Sequence, residues 1–169
     1  DSQLPQLVCM AAVKSETPSW LWYPRIPAGE MTLLFGDGGV GKSHIGPAIA
    51  AALSCGEALP GSEAAPPASS IIFTGEDRLS EVRRRLYTLE ADTSRVFACD
   101  ETFQFDEKGA SFVRACISQH SAVWVVIDPV VAFAGRCSVP TKFVPYSRRL
   151  PEWNTTQALL SVYGHMSRK

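Results

Sequence analysis

A three-layer α/β/α sandwich with a mainly parallel central sheet is the fold class this chain predicts, on three observations. Short apolar runs of strand length alternate with segments of helical periodicity, the pattern of a sheet flanked by helices. The run Ala122 to Asp128 is apolar almost without a break, as expected of a parallel strand covered on both faces. A glycine-rich turn separates the run Met31 to Phe35 from the Ala-rich stretch Ile45 to Leu53, giving strand, turn and helix in sequence.

Length and composition set the outer bounds. The 169 residues suffice for one α/β domain with a sizeable core. Hydrophobic residues make up 46% of the chain and mean hydropathy is +0.02, values of a globular protein in water. No apolar run approaches the roughly 18 to 20 residues that span a bilayer, and no secretory leader pattern opens the sequence. Cys9, Cys55, Cys99, Cys116 and Cys137 are scattered with no C-x-x-C pair. Reduced thiols and a cytoplasmic location are therefore expected rather than a disulfide framework or metal site. Sixteen basic and seventeen acidic residues nearly cancel, which excludes a wholesale polyanion-binding surface but not a local one.

Taken in order, residues 1–30 read as irregular, because Pro5, Pro18, Pro24 and Pro27 interrupt any long period. Residues 1–19 form an N-terminal segment and 20–169 a single domain. Trp20 to Pro27 is an aromatic lead-in expected to pack on the domain edge. The strand Met31 to Phe35 follows, and then Gly36-Asp37-Gly38-Gly39-Val40-Gly41-Lys42-Ser43. This octapeptide fits the phosphate-binding pattern G-x-x-x-x-G-K-[ST] without a mismatch. Its glycines admit backbone angles and close approach that a Cβ would hinder. The helix behind it aims free N–H groups at an anion. Lys42 is expected to reach the β and γ phosphates and the Ser43 hydroxyl to hold Mg²⁺. The predicted nucleotide-contacting set is Gly36, Asp37, Gly38, Gly39, Val40, Gly41, Lys42, Ser43 and His44, with ATP as ligand. The aromatic lead-in then has a second reading, seating the adenine ring or meeting a neighbouring subunit.

Residues 56–69, rich in Gly, Pro, Ala and Ser, read as a loop. Ser70 to Thr74 is a second buried strand, running into Gly75-Glu76-Asp77. From Arg78 to Glu90, Leu79, Val82, Leu86 and Leu89 recur at helical spacing, with Arg83, Arg84 and Arg85 on the solvated side. Val96 to Ala98 is a short strand. Glu107 to Gln119 is a helix with Phe112, Ala115, Cys116 and Gln119 on one face. Ala158 to Tyr163 is a last strand.

Hydrolysis needs a metal-holding acid and a group that orients or deprotonates water. Asp128 ends the long apolar strand, which places a carboxylate at the edge of the sheet where α/β proteins bind ligands. The next residue is Pro129, so the base has to come from elsewhere. Glu76, at the end of another buried strand, projects from the same edge and is the expected base. Asp77 is expected to cap the helix that follows.

The phosphate loop, the strand ending Thr74-Gly75-Glu76-Asp77 and the segment Val125-Val126-Ile127-Asp128-Pro129 together resemble the RecA-like ATPase core of the RepA-type hexameric replicative helicases. The lead-in Ile26 to Leu34 and the ending Leu159 to Lys169 are similar as well. The resemblance implies an ATPase that assembles as a ring on single-stranded DNA. It makes Lys42 and Ser43 the phosphate and Mg²⁺ residues, Glu76 the base, Asp128 the metal acid and His165 a γ-phosphate sensor. Loops after the Asp128 strand would then face the ring's channel. Arg136, Lys142, Arg148 and Arg149, interleaved with Phe143 and Tyr146 and free of acidic neighbours, have the makings of a single-strand contact, or of a solvated loop.

Three departures accompany the resemblance. Pro47 falls inside the helix behind the loop, at a cost of about 3 kcal/mol, so that helix is expected to start late or kink. Pro140, Pro145 and Pro151 interrupt the region where the family has a helix. The chain stops at Lys169, ahead of an expected arginine finger worth about 10³ to 10⁵ in rate. An incomplete domain that binds ATP better than it turns it over is expected on that count. Competing readings are a RecA- or KaiC-like recombination or regulatory ATPase, and a nucleotide-binding module with little turnover. A small-molecule kinase is disfavoured by the roughly 90 residues and intervening strand between loop and acid.

Overall fold

The computed structural model describes residues 6–15, 17–37 and 39–133, together with the backbone of Ala158–Tyr163. Its elements are β1 (Trp20–Trp22), β2 (Ile26–Pro27), β3 (Met31–Phe35), α1 (Lys42–Cys55), β4 (Ser69–Thr74), α2 (Leu79–Thr88), β5 (Val96–Cys99), α3 (Glu107–His120), β6 (Ala122–Asp128), α4 (Val130–Phe133) and β7 (Ala158–Tyr163). Strands β3, β7, β6, β4 and β5 lie in that order in one sheet, and every pairing in it is parallel. The three-layer α/β/α fold is thereby realised.

Alternation along β4 and β6 explains the layers. Ile72, Trp124 and Val126 point to one face, where they pack with Ile49, Ala50 and Leu53 of α1 and with Val82 and Leu86 of α2. Ile71, Phe73, Val125 and Ile127 point to the other, against Val113 and Ile117 of α3 and Phe133 of α4. Each such side chain withdrawn from water contributes about 1.5–3 kcal/mol, and coverage on both faces is why these strands are apolar without alternation.

Helix α1 lies close on the sheet because Gly46 has no side chain there. A Cβ at Gly46 would stand 2.8 and 3.0 Å from the two Cγ atoms of Val126. The buried indole of Trp124 donates to the Gly46 carbonyl at 3.2 Å and ties helix to strand. The expected late start at Pro47 is not found: α1 begins at Lys42 and runs on through Pro47 to Cys55. The bond Pro47 cannot make is to the carbonyl of Ser43, in the first turn, so the rest of the ladder is untouched. Pro47 is itself buried, and that burial offsets part of the cost. The helix ends where Gly56, at φ 72°, donates back to Ala52 and Leu53.

Two predicted helix faces need correction. In α2 only Val82 and Leu86 are buried; Leu79 and Leu89, at its two ends, are 41% and 42% exposed. A helix of ten residues meets the sheet over its middle turns and leaves its ends outside. In α3 the buried face is Gly109, Ala110, Val113 and Ile117, not the one centred on Phe112. Val113 and Ile117 meet the sheet, Gly109 makes room for the backbone of Gln104, and Phe112 sits at the rim, 5.3 Å from the ring of Phe103.

The lead-in packs on the domain edge. It is not irregular throughout, since β1 and β2 form a small antiparallel pair. Ile26 is buried in the α1 face of the core, and the Trp22 indole donates to the Pro60 carbonyl at 2.8 Å, pinning the loop that follows α1.

Candidate functional site

The carboxyl ends of β3, β4 and β6 all open on one edge of the sheet. Thr74 and Asp128 are register partners at the ends of β4 and β6, and Phe35 pairs with Tyr163 at the end of β7. The residues expected to act together are therefore the ones that leave these strands.

After β3 the chain turns through the glycine loop into α1. Gly39 and Gly41 adopt φ of 79° and 85°, where a side chain is strained, yet a Cβ at either would meet nothing within 4 Å. Here glycine serves the backbone angle rather than room. Gly38 lies outside the described residues. The Lys42 ammonium donates to the carbonyl oxygens of Gly36 at 2.9 Å and Asp37 at 2.6 Å. Val40 is exposed, and the amide of His44 is engaged with the Gly41 carbonyl at 3.0 Å.

Asp128 faces the start of α1. Burial pushes its carboxyl above the ordinary aspartate value; the Ser43 hydroxyl, as hydrogen-bond donor, holds it down. The charges of Asp77 and Glu76 raise it further, and Arg85 opposes them. A hydroxyl and a carboxylate are hard oxygen donors. Mg²⁺ characteristically takes one or two protein oxygens and completes its shell with water and phosphate, so Ser43 and Asp128 fit that ion.

The turn after β4 is fastened at several points. The Gly75 amide donates to the Asp128 carbonyl at 2.9 Å, so the two strand ends are joined. The Asp77 amide donates to the Thr74 hydroxyl at 2.9 Å, and that hydroxyl faces the Asp77 carbonyl at 3.2 Å. Between these anchors, Glu76 is exposed, with its charge acting on Asp128.

Asp77 does not cap α2. The N-cap position is Arg78, with no side-chain cap bond. The Asp77 carboxylate instead takes both terminal nitrogens of Arg85, at 2.5 and 3.2 Å. A charge-assisted bidentate pair outweighs a single capping bond. Arg85 is thus the site residue that sequence reasoning missed, having been read with Arg83 and Arg84 as solvated. Arg84 is exposed and paired with Glu81, whereas Arg85 is only 15% exposed. The available signal was spacing: Arg85 stands three residues after Val82 and directly before Leu86, at the margin of the buried stripe.

His165, Arg136, Lys142, Phe143, Tyr146, Arg148 and Arg149 lie outside the described residues. So do Pro140, Pro145 and Pro151.

A family model described as an AAA domain matches residues 3–140, most of the chain. The chain belongs to the AAA-domain family. The matched span carries the glycine loop, Glu76, Arg85 and Asp128 of this AAA domain. An AAA domain is a P-loop, ATPase-type nucleotide-binding module, and the mixed α/β architecture agrees with it. Among curated proteins, none matches the chain significantly. No helix among the described residues is long and apolar enough to cross a membrane.

Proposed function

We propose that this AAA domain, residues 20–169, is a cytoplasmic motor domain that binds ATP with Mg²⁺ and hydrolyses it. In this reading it acts as an oligomeric ring on single-stranded DNA in the manner of RepA-type helicases. The observation that carries the ATPase part is the meeting of Ser43, Asp128 and the Glu76 turn at one sheet edge.

Lys42 exchanges the carbonyls of Gly36 and Asp37 for phosphate oxygens, charged acceptors that hold an ammonium more strongly. The amides of the glycine loop and of the first turn of α1 receive the remaining phosphate charge. Ser43 and Asp128 hold the Mg²⁺, which when bound neutralises charge developing on the phosphates. Glu76 is exposed and its charge acts on Asp128, so its carboxylate can orient a water at this edge and accept its proton.

His165 is assigned as the γ-phosphate sensor, supported by the pairing of Tyr163 with Phe35 at the head of the loop. The DNA contact is assigned to Arg136, Lys142, Phe143, Tyr146, Arg148 and Arg149 on their composition.

The test is ATP turnover with Mg²⁺, with and without single-stranded DNA. Turnover is expected to depend on Mg²⁺, to rise with DNA, and to fall by about 10²- to 10⁴-fold in Glu76→Gln while ATP binding persists. Turnover indifferent to DNA would leave an ATPase and remove the helicase role. Failure to bind nucleotide at all would overturn both.

A further inference from the structure

We propose that Arg85 is a positioning residue for hydrolysis: by gripping Asp77 it fixes the Gly75-Glu76-Asp77 turn and so the aim of Glu76. This rests on the assignment of Glu76 as the base.

The geometry supports it in three ways. First, the turn is held on both sides of Glu76, by the Gly75 amide on the Asp128 carbonyl and by the Thr74 and Arg85 contacts to Asp77. Glu76 itself has no ion-pair partner among the described residues, so the cation that could have quenched a base is spent on its neighbour. Second, the grip comes from a different element and is specific to a planar fork. Arg85 reaches back from the last turn of α2 to Asp77, one residue before the N-cap Arg78, delivering two nitrogens to two oxygens. Its buried Nε makes no hydrogen bond but stands 3.4 Å from Glu81 Oε1, so the guanidinium is oriented from a second side. Third, the pair is largely withdrawn from water, with side-chain exposures of 15% for Arg85 and 28% for Asp77. A pair so placed is screened less than a surface one.

The alternative is a staple that only stabilises α2. The two differ in how Arg85 and Glu76 combine. A residue that works by aiming Glu76 has nothing left to aim once the base is gone, whereas a staple acts independently of it.

Single-turnover hydrolysis, with protein in excess over ATP and Mg²⁺ present, is measured alongside ATP affinity for five variants: Arg85→Gln, Arg85→Lys, Asp77→Asn, Glu76→Gln and the double Arg85→Gln/Glu76→Gln. Arg85→Gln is expected to slow the chemical step roughly ten- to a hundredfold with ATP affinity within about twofold, because small misplacements of a reacting group cost this much. Arg85→Lys keeps the charge but not the fork and is expected to fall between. The double variant is expected to be no slower than Glu76→Gln. A further drop of the same factor in the double variant, or a loss of affinity with the chemical step unchanged, would overturn the proposal. If Arg85→Gln does not fold, Asp77→Asn and the double Asp77→Asn/Glu76→Gln carry the same comparison against Glu76→Gln. A wild-type chain with no turnover, or a Glu76→Gln variant as fast as wild type, would instead remove the assignment of the base.

Discussion

The ammonium of Lys42 donates to the carbonyl of Gly36 at 2.9 Å, so the cation of the glycine loop is occupied by its own loop. A second bond, to Asp37 at 2.6 Å, completes the arrangement. In the proposed function, nucleotide binding is an exchange of partners for Lys42, from neutral carbonyls to anionic phosphate oxygens. Hydrogen bonds to charged groups are worth about 1.5–3 kcal/mol, so Lys42→Ala is expected to weaken ATP binding roughly ten- to a hundredfold. Only exposed bonds are lost from the fold, and the melting temperature should move by no more than a few degrees. Titration with a fluorescent ATP analogue and a thermal melt read the two effects separately.

Asp128 predicts a trade between function and stability. Burial raises its carboxyl above the ordinary aspartate value of 3.8, assisted by Asp77 and Glu76 and opposed by Ser43 and Arg85. The folded chain therefore keeps this proton longer than the unfolded chain does. Its contribution to stability is fully present below the unfolded value and is lost as pH rises through the raised folded value. At neutral pH the ionised side chain burdens the nucleotide-free fold. Asp128→Asn is expected to raise the melting temperature of the free protein at pH 7, with the gain shrinking toward pH 3.8. Mg²⁺-dependent turnover should fall roughly a hundredfold or more. A variant less stable than wild type at neutral pH would contradict this.

Gly75 is required for space. A Cβ there would stand 2.5 Å from the Cβ of Ala132 in α4, nearer than two carbons can approach. Gly75→Ala should cost about 1–3 kcal/mol by overpacking and slow turnover, because the same turn carries Glu76. Ala132→Gly removes the obstructing atom. The double variant Gly75→Ala/Ala132→Gly is expected to recover most of the lost turnover, and no recovery would mean that the contact is not the cause.

Gly46 makes the equivalent prediction for α1. Alanine there gains about 1 kcal/mol of helix propensity but drives its Cβ onto Val126, whose branched side chain has little freedom to yield. Net destabilisation of about 1 kcal/mol is expected. Thermal melts of Gly46→Ala, Val126→Ala and the pair should show clear non-additivity, since the two sites share one volume.

Much of this architecture could be read in advance, for reasons that differ by element. Strand β6 is legible because both of its faces shed water, so six apolar residues rich in β-branched side chains, Ala122 to Ile127, run without a break to Asp128. The loop is legible because the chemistry of holding phosphate demands glycines, a lysine and a hydroxyl at fixed spacing. The face of α3 was not legible. Phe112 is its largest apolar side chain but remains 44% exposed at the rim, while Val113 and Ile117, four apart, pack into the core with Phe73 and Ile127. The largest apolar side chain on a helix does not by itself mark the buried face, because a neighbouring aromatic cluster, here Phe103, can hold it at the rim. The role of Arg85 was hidden for a related reason: in a run of three arginines, charge says nothing about which one lies beside a distant carboxylate.

By itself, then, the sequence determined the three-layer class, the glycine loop between β3 and α1, and the strands that lead into Glu76 and end at Asp128. These follow from local patterns that each segment carries whatever its neighbours do. Only the tertiary structure decided that β7 stands between β3 and β6, that Thr74 lies opposite Asp128, and that Arg85 grips Asp77. Those relations join residues far apart in the chain, or side chains whose partner is chosen by competition among several bonds. They are settled when all the segments bury their apolar faces together, which no single segment encodes.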